Sequence, residues 1–441
     1  MNPDSQSVVH LYQQVVTVGL LQYLQKQSAM KVRRGIYCAR VVLWLMILQR
    51  LHRGATLATT VQLLIEGAAE PLLQSCLRVR KDKISVYTGG YCQARQKLPK
   101  LLCRQVSEEI IERLRQVLGN DGSGQGDVFV LDGSSLELEH CRELVRCYPS
   151  ALNQHGRSHW PVVRIVVAHD VKTGMAQPPC WGAMFGTAAV SEQELAEELM
   201  GSLPPRSTVM GDRNFGVFWV AWVAQQRNLD VVLRMTEKRA RKLVGVIAQP
   251  GDYAVEWEAS RWDGGKQHRF ERGEAVAGRL IAARIGRGSS KEWLYLFTTS
   301  RLSTEEVVAL YKLRWSIETD LRSLKRTVNM HHISAKSQDM FEKELLMAIS
   351  AYNFVRAVMC MAARRRAIDP RQLSFTGVLN VVNCAWPKLI AAPTKSTHDR
   401  EFFRILDLAV QCKLPKRRKR RSFPRTVWGH NQSFPHRPAE N

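Results

Sequence analysis

The chain has 441 residues, a net charge of +24 and 45% apolar residues. This length allows two or three domains with a sizeable core. The excess of lysine and arginine suits a polyanionic partner, most simply nucleic acid, with an anionic membrane as the weaker alternative. The longest unbroken apolar run, residues 41–48, is too short to cross a bilayer, and the N-terminus lacks the pattern of a secretion signal. We therefore expect neither a membrane span nor export.

Residues 1–120 carry apolar side chains at helical spacing, notably over residues 11–27, 41–53 and 56–73. Residues 106–118 form a clearly amphipathic pattern. Residues 120–126, with the sequence NDGSGQG, have the composition of a linker. These features predict a helical N-terminal region that ends at about residue 120.

The pattern then changes to short apolar runs that are typical of strands. Residues 127–131 predict a strand that stops at Asp132, and residues 208–210 predict one that runs into Gly211 and Asp212. Further strands and helices are predicted in between and beyond, with strands at 136–138, 162–168 and 230–234 and helices at 193–200 and 215–226. This order predicts an α/β domain over residues 121–392, with a mixed sheet flanked by helices.

Residues from about 236 to 300 break this rhythm, because short strand-like runs alternate with glycine-rich turns, and they predict a β-rich insertion. Ser303 and Glu306 then form a capping box, which opens a helix expected to run past Lys325. A second long helix, over residues 340–366, is apolar nearly all round and is expected to be buried. Residues 393–441 are polar and very basic, with the run KRRKRR at 416–421, and predict a largely disordered tail.

The first of these helices contains the sequence YKLRWSIETDLRSLK at residues 311–325. On an ideal helix, an aromatic hydroxyl, one carboxylate and two cations fall within an arc of roughly 60°, namely Tyr311, Arg314, Glu318 and Lys325. An adjacent arc gathers the apolar stripe Leu310, Leu313, Ile317, Leu321 and Leu324. The stripe suits docking on a core, and the polar face suits a metal ion and a phosphate backbone. An ordinary charged outer face is the plainer alternative.

Two more carboxylates, Asp132 and Asp212, come at predicted strand ends, where the ligand sites of α/β sheets form. Each alone could equally cap a turn or a helix. Glu318 would complete the set if its helix packs across the sheet. Three carboxylates without a histidine or thiolate partner favour Mg²⁺ or Mn²⁺, and the ten cysteines include no C-x-x-C pair that would indicate zinc. Such ions can activate water and stabilise the leaving oxygen of a phosphodiester.

The pattern Tyr311-x₂-Arg314-x₃-Glu318-x₆-Lys325 resembles the YREK signature of DDE transposases from bacterial insertion sequences, in residue type and in spacing. The segments VFVLDGSSLEL and VMGDRNFG resemble those around the first and second aspartates of that family. SVYTGGYCQARQKLP and KEWLYLFTTS resemble its N-terminal part and the return from its β insertion. The resemblance covers roughly residues 80–365.

This resemblance implies a ribonuclease H-like core in which Asp132, Asp212 and Glu318 are the catalytic metal ligands. It also implies that three residues hold DNA phosphates near the scissile bond, namely Tyr311, Arg314 and Lys325. Arginine can hold a phosphate with two hydrogen bonds, and lysine acts as a point charge, in agreement with these roles.

Four further residues are weaker candidates. In relatives that cut through a DNA hairpin, an aromatic residue of the insertion stacks on a flipped base, and Trp293 lies in the similar segment here, with a core tryptophan at a strand edge as the alternative. Arg213 and Asn214 could contact DNA or only shape the turn after Asp212. Arg322 could contact phosphate or pair with Glu318.

We therefore predict a transposase whose helical N-terminal region recognises terminal inverted repeats and whose core cuts the ends with Mg²⁺, for which Mn²⁺ can substitute. The freed 3′-hydroxyl would then attack target DNA. Family members act as homodimers in a paired-end complex, and we expect the same here, on double-stranded DNA in the bacterial cytoplasm at the nucleoid. Two alternatives remain open: a metal-dependent nuclease of this fold without strand transfer, and a catalytically inactive DNA-binding protein descended from a transposase.

Overall fold

The computed structural model describes residues 8–30, 35–52, 54–73, 76, 84–118, 126–153, 156–260, 263, 268, 270–271, 273–285, 292–328, 330, 333–390 and 394–415. The predicted linker at residues 120–126 lies outside this part except for Gly126. The basic run at residues 416–421 lies outside it entirely.

The N-terminal part is built from helices. They are α1 (Val8–Val15), α2 (Val18–Gln27), α3 (Ala39–Leu51), α4 (Leu57–Ile65), α5 (Glu70–Leu73), α6 (Gly89–Lys97) and α7 (Lys100–Leu118). Threonine side chains cap two of them, because Thr17 accepts a hydrogen bond from the Leu20 amide and Thr56 from the Thr59 amide. Helix α3 is buried over most of its length, so it is a core element of this layer.

An eight-stranded mixed sheet follows. Its strands are β1 (Val128–Glu137), β4 (Val162–Asp170), β5 (Cys180–Ala183), β6 (Thr208–Gly211), β7 (Asp230–Met235), β8 (Gly251–Glu258), β9 (Ala275–Ile285) and β10 (Glu292–Thr298), while β2 (Leu152–Asn153) and β3 (Gly156–Arg157) form a separate small hairpin. The spatial order is β5-β4-β1-β6-β7-β10-β9-β8. Strands β5, β4 and β1 are antiparallel, and β1, β6 and β7 are parallel. This is the ribonuclease H-like arrangement that we expected.

Strand β1 differs from the prediction. We expected a strand to stop at Asp132 and a second one to begin at residue 136, but β1 runs without a break from Val128 to Glu137. It pairs with β4 from Phe129 opposite Asp170 to Glu137 opposite Val162. The ladder to β4 therefore overrides the turn signal of the Asp132-Gly133 pair.

The predicted β insertion extends the same sheet. Strand β10 is hydrogen-bonded to β7, with Leu296 opposite Arg234, and β9 and β8 continue outward in antiparallel fashion. Four helices lie between the strands along the chain, namely α8 (Arg142–Cys147), α9 (Glu192–Met200), α10 (Phe218–Gln226) and α11 (Glu237–Val244). The insertion and the central strands thus share one hydrogen-bonded ladder.

The two faces of the sheet carry different helices. On one face, Phe129 and Leu131 of β1 pack in a cluster with Leu195 of α9 and Phe218 of α10. On the other face, Val130 packs with the helix that follows β10. Because side chains alternate along a strand, residues of even number in β1 lie on this second face.

The chain ends in further helices. They are α12 (Thr304–Lys312), α13 (Trp315–Arg322), a π-helical segment (Ser323–Thr327), α14 (Gln338–Arg365), a short 3₁₀ turn (Pro370–Gln372), α15 (Phe375–Ile390) and α16 (Lys395–Gln411). Residues 393–441 were expected to be disordered, but α16 is a helix with a capping box at Thr394 and packs on α15 and α14. Its apolar side chains Phe402, Ile405, Leu406 and Ala409 are buried in the core, and this stripe outweighs the polar composition.

Helix α14 runs through the centre of the protein. It is long and apolar enough to cross a bilayer, yet its apolar part is buried inside the fold, as a core helix is. Its buried charges are paired: the Glu344 carboxylate accepts from Arg50 and Arg95 of the N-terminal layer. Helix α14 therefore joins the N-terminal helices to the sheet.

Candidate active site

Asp132 and Asp212 lie level with each other on adjacent parallel strands. Val130 of β1 is opposite Met210 of β6, and two further residues along the same register lead to Asp132 and Asp212. Both Val130 and Met210 pack in the cluster formed with α12. The alternation of side chains therefore puts the two aspartates on the α12 face, at the carboxyl end of β6.

The antiparallel partners of β1 give the same result. Asp132 is opposite Val167, which packs in the cluster containing α14, whereas Gly133 is opposite Val166, which packs in the cluster containing α9. The side chain of Asp132 and the open side of Gly133 thus point to opposite faces of the sheet.

The electrostatic environment of this aspartate pair disfavours two free negative charges. Burial and the charge of Asp212 together raise the pKa of Asp132 to about 6, against the opposing charge of the Arg314 guanidinium. A divalent cation between the two carboxylates would relieve this repulsion. Both donors are hard oxygens, which suits an ion such as Mg²⁺ or Mn²⁺. No group of three or more histidine, cysteine, aspartate or glutamate side chains in the described part is arranged to hold a metal.

The helix that carries the YREK-like residues is not continuous, in contrast to our expectation. Helix α12 ends at Lys312, and the next two amides, of Leu313 and Arg314, bond three residues back, to Leu310 O at 3.0 Å and Tyr311 O at 3.1 Å. This tighter turn separates α12 from α13. A second departure follows α13, where the Val328 amide bonds five residues back, to Ser323 O at 3.2 Å. The positions around one helix axis that we predicted for Tyr311, Arg314, Glu318 and Lys325 are therefore wrong, because these residues do not lie on one continuous α-helix.

The apolar stripe is correspondingly only partly buried. Leu321 and Leu324 are 8% and 0% exposed. Leu313, predicted to belong to the stripe, is 46% exposed because it lies in the turn between the helices. Leu310 at the start of the stripe packs against the cluster formed with α12, so both ends of the stripe contact the core, and the side chain of Ile317 lies outside the described part.

Tyr311 and Arg314 lie beside the aspartate pair. Tyr311 is 4% exposed and packs against β1, β6 and β10 side chains. Burial raises its pKa, while the charges of Arg314 and Arg234 lower it and that of Asp212 raises it. The Arg314 guanidinium carbon lies 5.8 Å from the centre of the Tyr311 ring. The structure therefore brings these two residues together with both aspartates.

Lys325 also lies at this site. Its ammonium donates to Ser134 Oγ at 2.9 Å and to Ser135 O at 3.1 Å, so it contacts β1 just beyond Asp132. Lys325 belongs to the π-helical segment, a geometry that occurs often at functional sites. The π-helical segment therefore places the Lys325 ammonium against β1, the strand that carries Asp132.

The backbone of Glu318 lies in α13, and its side chain lies outside the described part. Helix α13 contacts β1. It is anchored through buried Asp320, whose carboxylate accepts from Arg356 of α14 at 2.6 Å and from Arg371 of the 3₁₀ turn. These ion pairs fix the helix that carries Glu318 on the α14 side of the sheet.

The weaker candidates fall in different places. Arg213 is exposed beside Asp212, and Arg322 is exposed at the end of α13. Trp293 is half-buried on β10, stacked on Tyr295 at 5.8 Å between ring centres, with the Arg284 guanidinium 4.2 Å from its ring centre. It packs on the α9 and α10 face, so the structure does not bring it together with the aspartate pair.

The sequence named Asn214 as a residue that could shape the turn after Asp212, but sequence reasoning missed Glu192 and Gln193, which hold Asn214 in place. The Asn214 amide donates to Asp212 Oδ1 at 2.8 Å, and the Asn214 side chain donates to the Glu192 carboxylate. Gln193 donates to Asn214 O at 2.8 Å. The capping box of Ser191 and Glu194 could have placed the start of α9, but nothing in the sequence indicates which loop this helix end faces.

The order and direction of the strands define a ribonuclease H-like fold. The profile of a family described as "Transposase DDE domain" matches residues 123–354. A curated relative, "Transposase InsG for insertion sequence element IS4" from Escherichia coli (strain K12), is 25% identical over 374 residues, covering 81% of this chain and 80% of that protein. A cryo-EM structure of the piggyBac transposase synaptic complex with hairpin DNA is similar at a TM-score of 0.42 and 12% identity, covering 91% of this chain and 85% of that one.

Because the family profile covers more than half of the chain, the protein belongs to the DDE transposase family. It is an enzyme of DNA transposition that binds DNA, cleaves it and transfers strands, as predicted from its sequence. DDE transposases depend on a divalent metal ion.

Proposed function

We propose that this chain is a transposase of the YREK subgroup that uses Asp132, Asp212 and Glu318 as its catalytic metal ligands, with Mg²⁺ as the ion and Mn²⁺ as a substitute. The observation that carries the proposal is the aspartate pair, level on adjacent strands and facing α12, with the pKa of Asp132 raised to about 6. Such a pair holds two hard donors close together and leaves them short of positive charge.

The bound ion would activate water and stabilise the leaving oxygen of the phosphodiester. Tyr311, Arg314 and Lys325 are the residues that would hold the DNA phosphates beside it. Arg314 lies close enough to Asp132 to lower its pKa, and Lys325 contacts the strand that carries that aspartate. A phosphate held between these cations would therefore lie next to the carboxylates. Arg213 and Arg322 are exposed cations nearby in sequence and would extend the contact with the backbone.

The helical region of residues 1–120 would recognise the terminal inverted repeats, and two copies of the chain would act in a paired-end complex on the bacterial nucleoid in the cytoplasm. The net charge of +24 supports extended contact with a polyanion. The Escherichia coli relative is named as the transposase of an insertion sequence element, which supports the same role here.

The test uses the purified full chain and a plasmid carrying the gene with its natural flanking DNA. We expect Asp132→Ala, Asp212→Ala and Glu318→Gln each to lower cleavage in Mg²⁺ by at least about 1000-fold, or about 4 kcal/mol of transition-state stabilisation. Binding of the flanking DNA should remain. Glu305→Gln, at an exposed position in the first turn of α12, is the matched control and should cleave normally.

Full cleavage by Glu318→Gln in Mg²⁺ would overturn the assignment of the third ligand. The same reactions also separate a transposase from a simple nuclease. A transposase should join the cut ends to a second, target plasmid, whereas cut ends that never join would contradict strand transfer.

A further inference from the structure

The first turn of α9 holds residues 212–214, the Asp212 loop, through a short chain of hydrogen bonds. Glu192 accepts from the side-chain amide of Asn214, and Gln193 donates to Asn214 O at 2.8 Å and to Asn214 Oδ1 at 3.1 Å. The backbone amide of Asn214 in turn donates to Asp212 Oδ1 at 2.8 Å. One oxygen of Asp212 is therefore oriented by a residue that α9 holds in place.

Glu192 also lies against β1. A Cβ atom added at Gly133 would collide with the carboxylate of Glu192, so this carboxylate fills the space that a side chain at position 133 would take. Glu192 thus contacts the backbone directly after Asp132 and the loop directly after Asp212. It is the link between the two segments that carry the aspartate pair.

The geometry separates this role from metal binding. The open side of Gly133 points to the α9 face, opposite to the side chain of Asp132. Glu192 approaches from that face. Among the described residues no third carboxylate joins Asp132 and Asp212 in a metal-holding group.

We propose that Glu192 is a positioning residue, which acts through Asn214 to hold the Asp212 carboxylate in the orientation that receives the metal ion. This inference rests on the proposed role of Asp212 as a metal ligand. It concerns an acidic residue of α9 that lies outside the three carboxylates of the DDE set. Residues that orient a metal ligand typically change metal affinity about 10- to 100-fold when they are removed.

The test measures Mn²⁺ binding by the full chain from the electron paramagnetic resonance signal of free Mn²⁺, together with the Mn²⁺ concentration for half-maximal plasmid nicking. Glu192→Ala should weaken Mn²⁺ binding about 10-fold. Glu192→Gln keeps an oxygen that can accept from Asn214 and should stay within about 2-fold of the parent. Asn214→Ala should resemble Glu192→Ala, and the double variant should be no weaker than the weaker single variant.

Glu237→Ala is the matched control. Glu237 has the same helical position in α11, directly after the capping residue Thr236, but its carboxylate pairs with Arg241 of its own helix, so Mn²⁺ binding should not change. Thermal unfolding of each variant shows whether the fold is retained. Because Asn214 is exposed, Mn²⁺ binding by Asn214→Ala can be interpreted even if Glu192→Ala is less stable than the parent.

Three results would overturn the inference. Glu192→Gln as weak as Glu192→Ala would indicate that the charge, as in a metal ligand, is what matters. Additive losses in the double variant would show that Glu192 does not act through Asn214. Unchanged binding in Glu192→Ala, with binding lost in Asp212→Ala, would remove the role of Glu192 alone, whereas unchanged binding in Asp212→Ala would contradict the proposed function instead.

Discussion

The buried carboxylates of the core and those of the aspartate pair differ in how far nearby cations balance their charge. In the core, buried Glu344 pairs with two arginines, Arg50 and Arg95, and buried Asp320 likewise has two arginine partners. At the site, Asp132 and Asp212 lie level on adjacent strands, and the charge of Arg314 partly offsets the effect of Asp212 on the pKa of Asp132.

This difference shows where the fold leaves negative charge uncompensated. A buried charge is costly unless it is paired, so the core carboxylates are supplied with cations by the protein itself. The aspartate pair is left short of a cation, as the proposed binding of a metal ion there requires. Removing a carboxylate should therefore have opposite consequences for stability in the two regions.

The largest stability effect is expected in the core. Glu344→Ala leaves Arg50 and Arg95 buried without their carboxylate, and we expect a loss of about 3–5 kcal/mol in the free energy of unfolding. Urea denaturation of the purified variants measures it. Glu112→Ala, an exposed glutamate of α7 that accepts from Gln116, is the control and should change stability by less than about 0.5 kcal/mol. Equal losses in the two variants would contradict the importance of the buried pairing.

A smaller effect is expected from His169, a buried histidine of β4 near the Asp320 ion pairs. Burial lowers its pKa to about 4, against the opposing charge of Asp320 and a hydrogen bond with Gly174. Because the unfolded chain takes up a proton near pH 6.5 and the folded one does not, this histidine contributes stability above pH 6.5 that is lost as the pH falls toward 4. The loss amounts to at most about 3 kcal/mol.

Comparison of the parent with His169→Gln in urea denaturation from pH 7.5 to pH 4.5 isolates this contribution. Glutamine keeps an amide that can donate to Gly174 O but takes up no proton. The variant should therefore lose less stability than the parent over this range. Parallel curves would show that His169 is not held neutral by the fold.

The smallest effect, of opposite sign, is expected at the aspartate pair without metal. The pKa of Asp132 is raised to about 6, so its ionised form destabilises the fold above that pH and the penalty fades as the pH falls toward 4. At pH 7 in EDTA, Asp132→Asn should be equal to the parent or about 1 kcal/mol more stable. Saturating Mn²⁺ should stabilise the parent more than the variant, so that thermal unfolding with and without Mn²⁺ reverses their order. A clear loss of stability in EDTA would contradict the charge imbalance.

Much of the site could be predicted from the sequence, because strand ends and helical spacing are local properties. Asp132 and Asp212 each follow an apolar run, and the parallel pairing of β1 with β6 puts them level. The capping box of Ser303 and Glu306 also starts α12 as predicted. The ribonuclease H-like sheet was confirmed by its strand order.

The remaining features depend on tertiary contacts. The interruption of the helix at Leu313 and Arg314 could not be predicted, because no proline or glycine lies there. The π-helical segment around Lys325 likewise has no sequence signal that we recognised. The link from Glu192 to Asn214 joins residues on two elements that only the folded sheet brings together. The continuity of β1 through Asp132-Gly133 likewise depends on pairing with β4, where Asp132 is opposite Val167, 35 residues further along the chain (167 − 132). Local composition does not indicate this pairing.

The hydrogen-bonded continuity of the insertion with the central sheet has a consequence for attempts to shorten this protein. Strand β10 covers the side of β7 that faces away from β6. If residues between β7 and α12 were removed, β7 would present a row of unpaired amides and carbonyls, which invites pairing with another chain and aggregation. The insertion therefore also shields the edge of β7 from self-association.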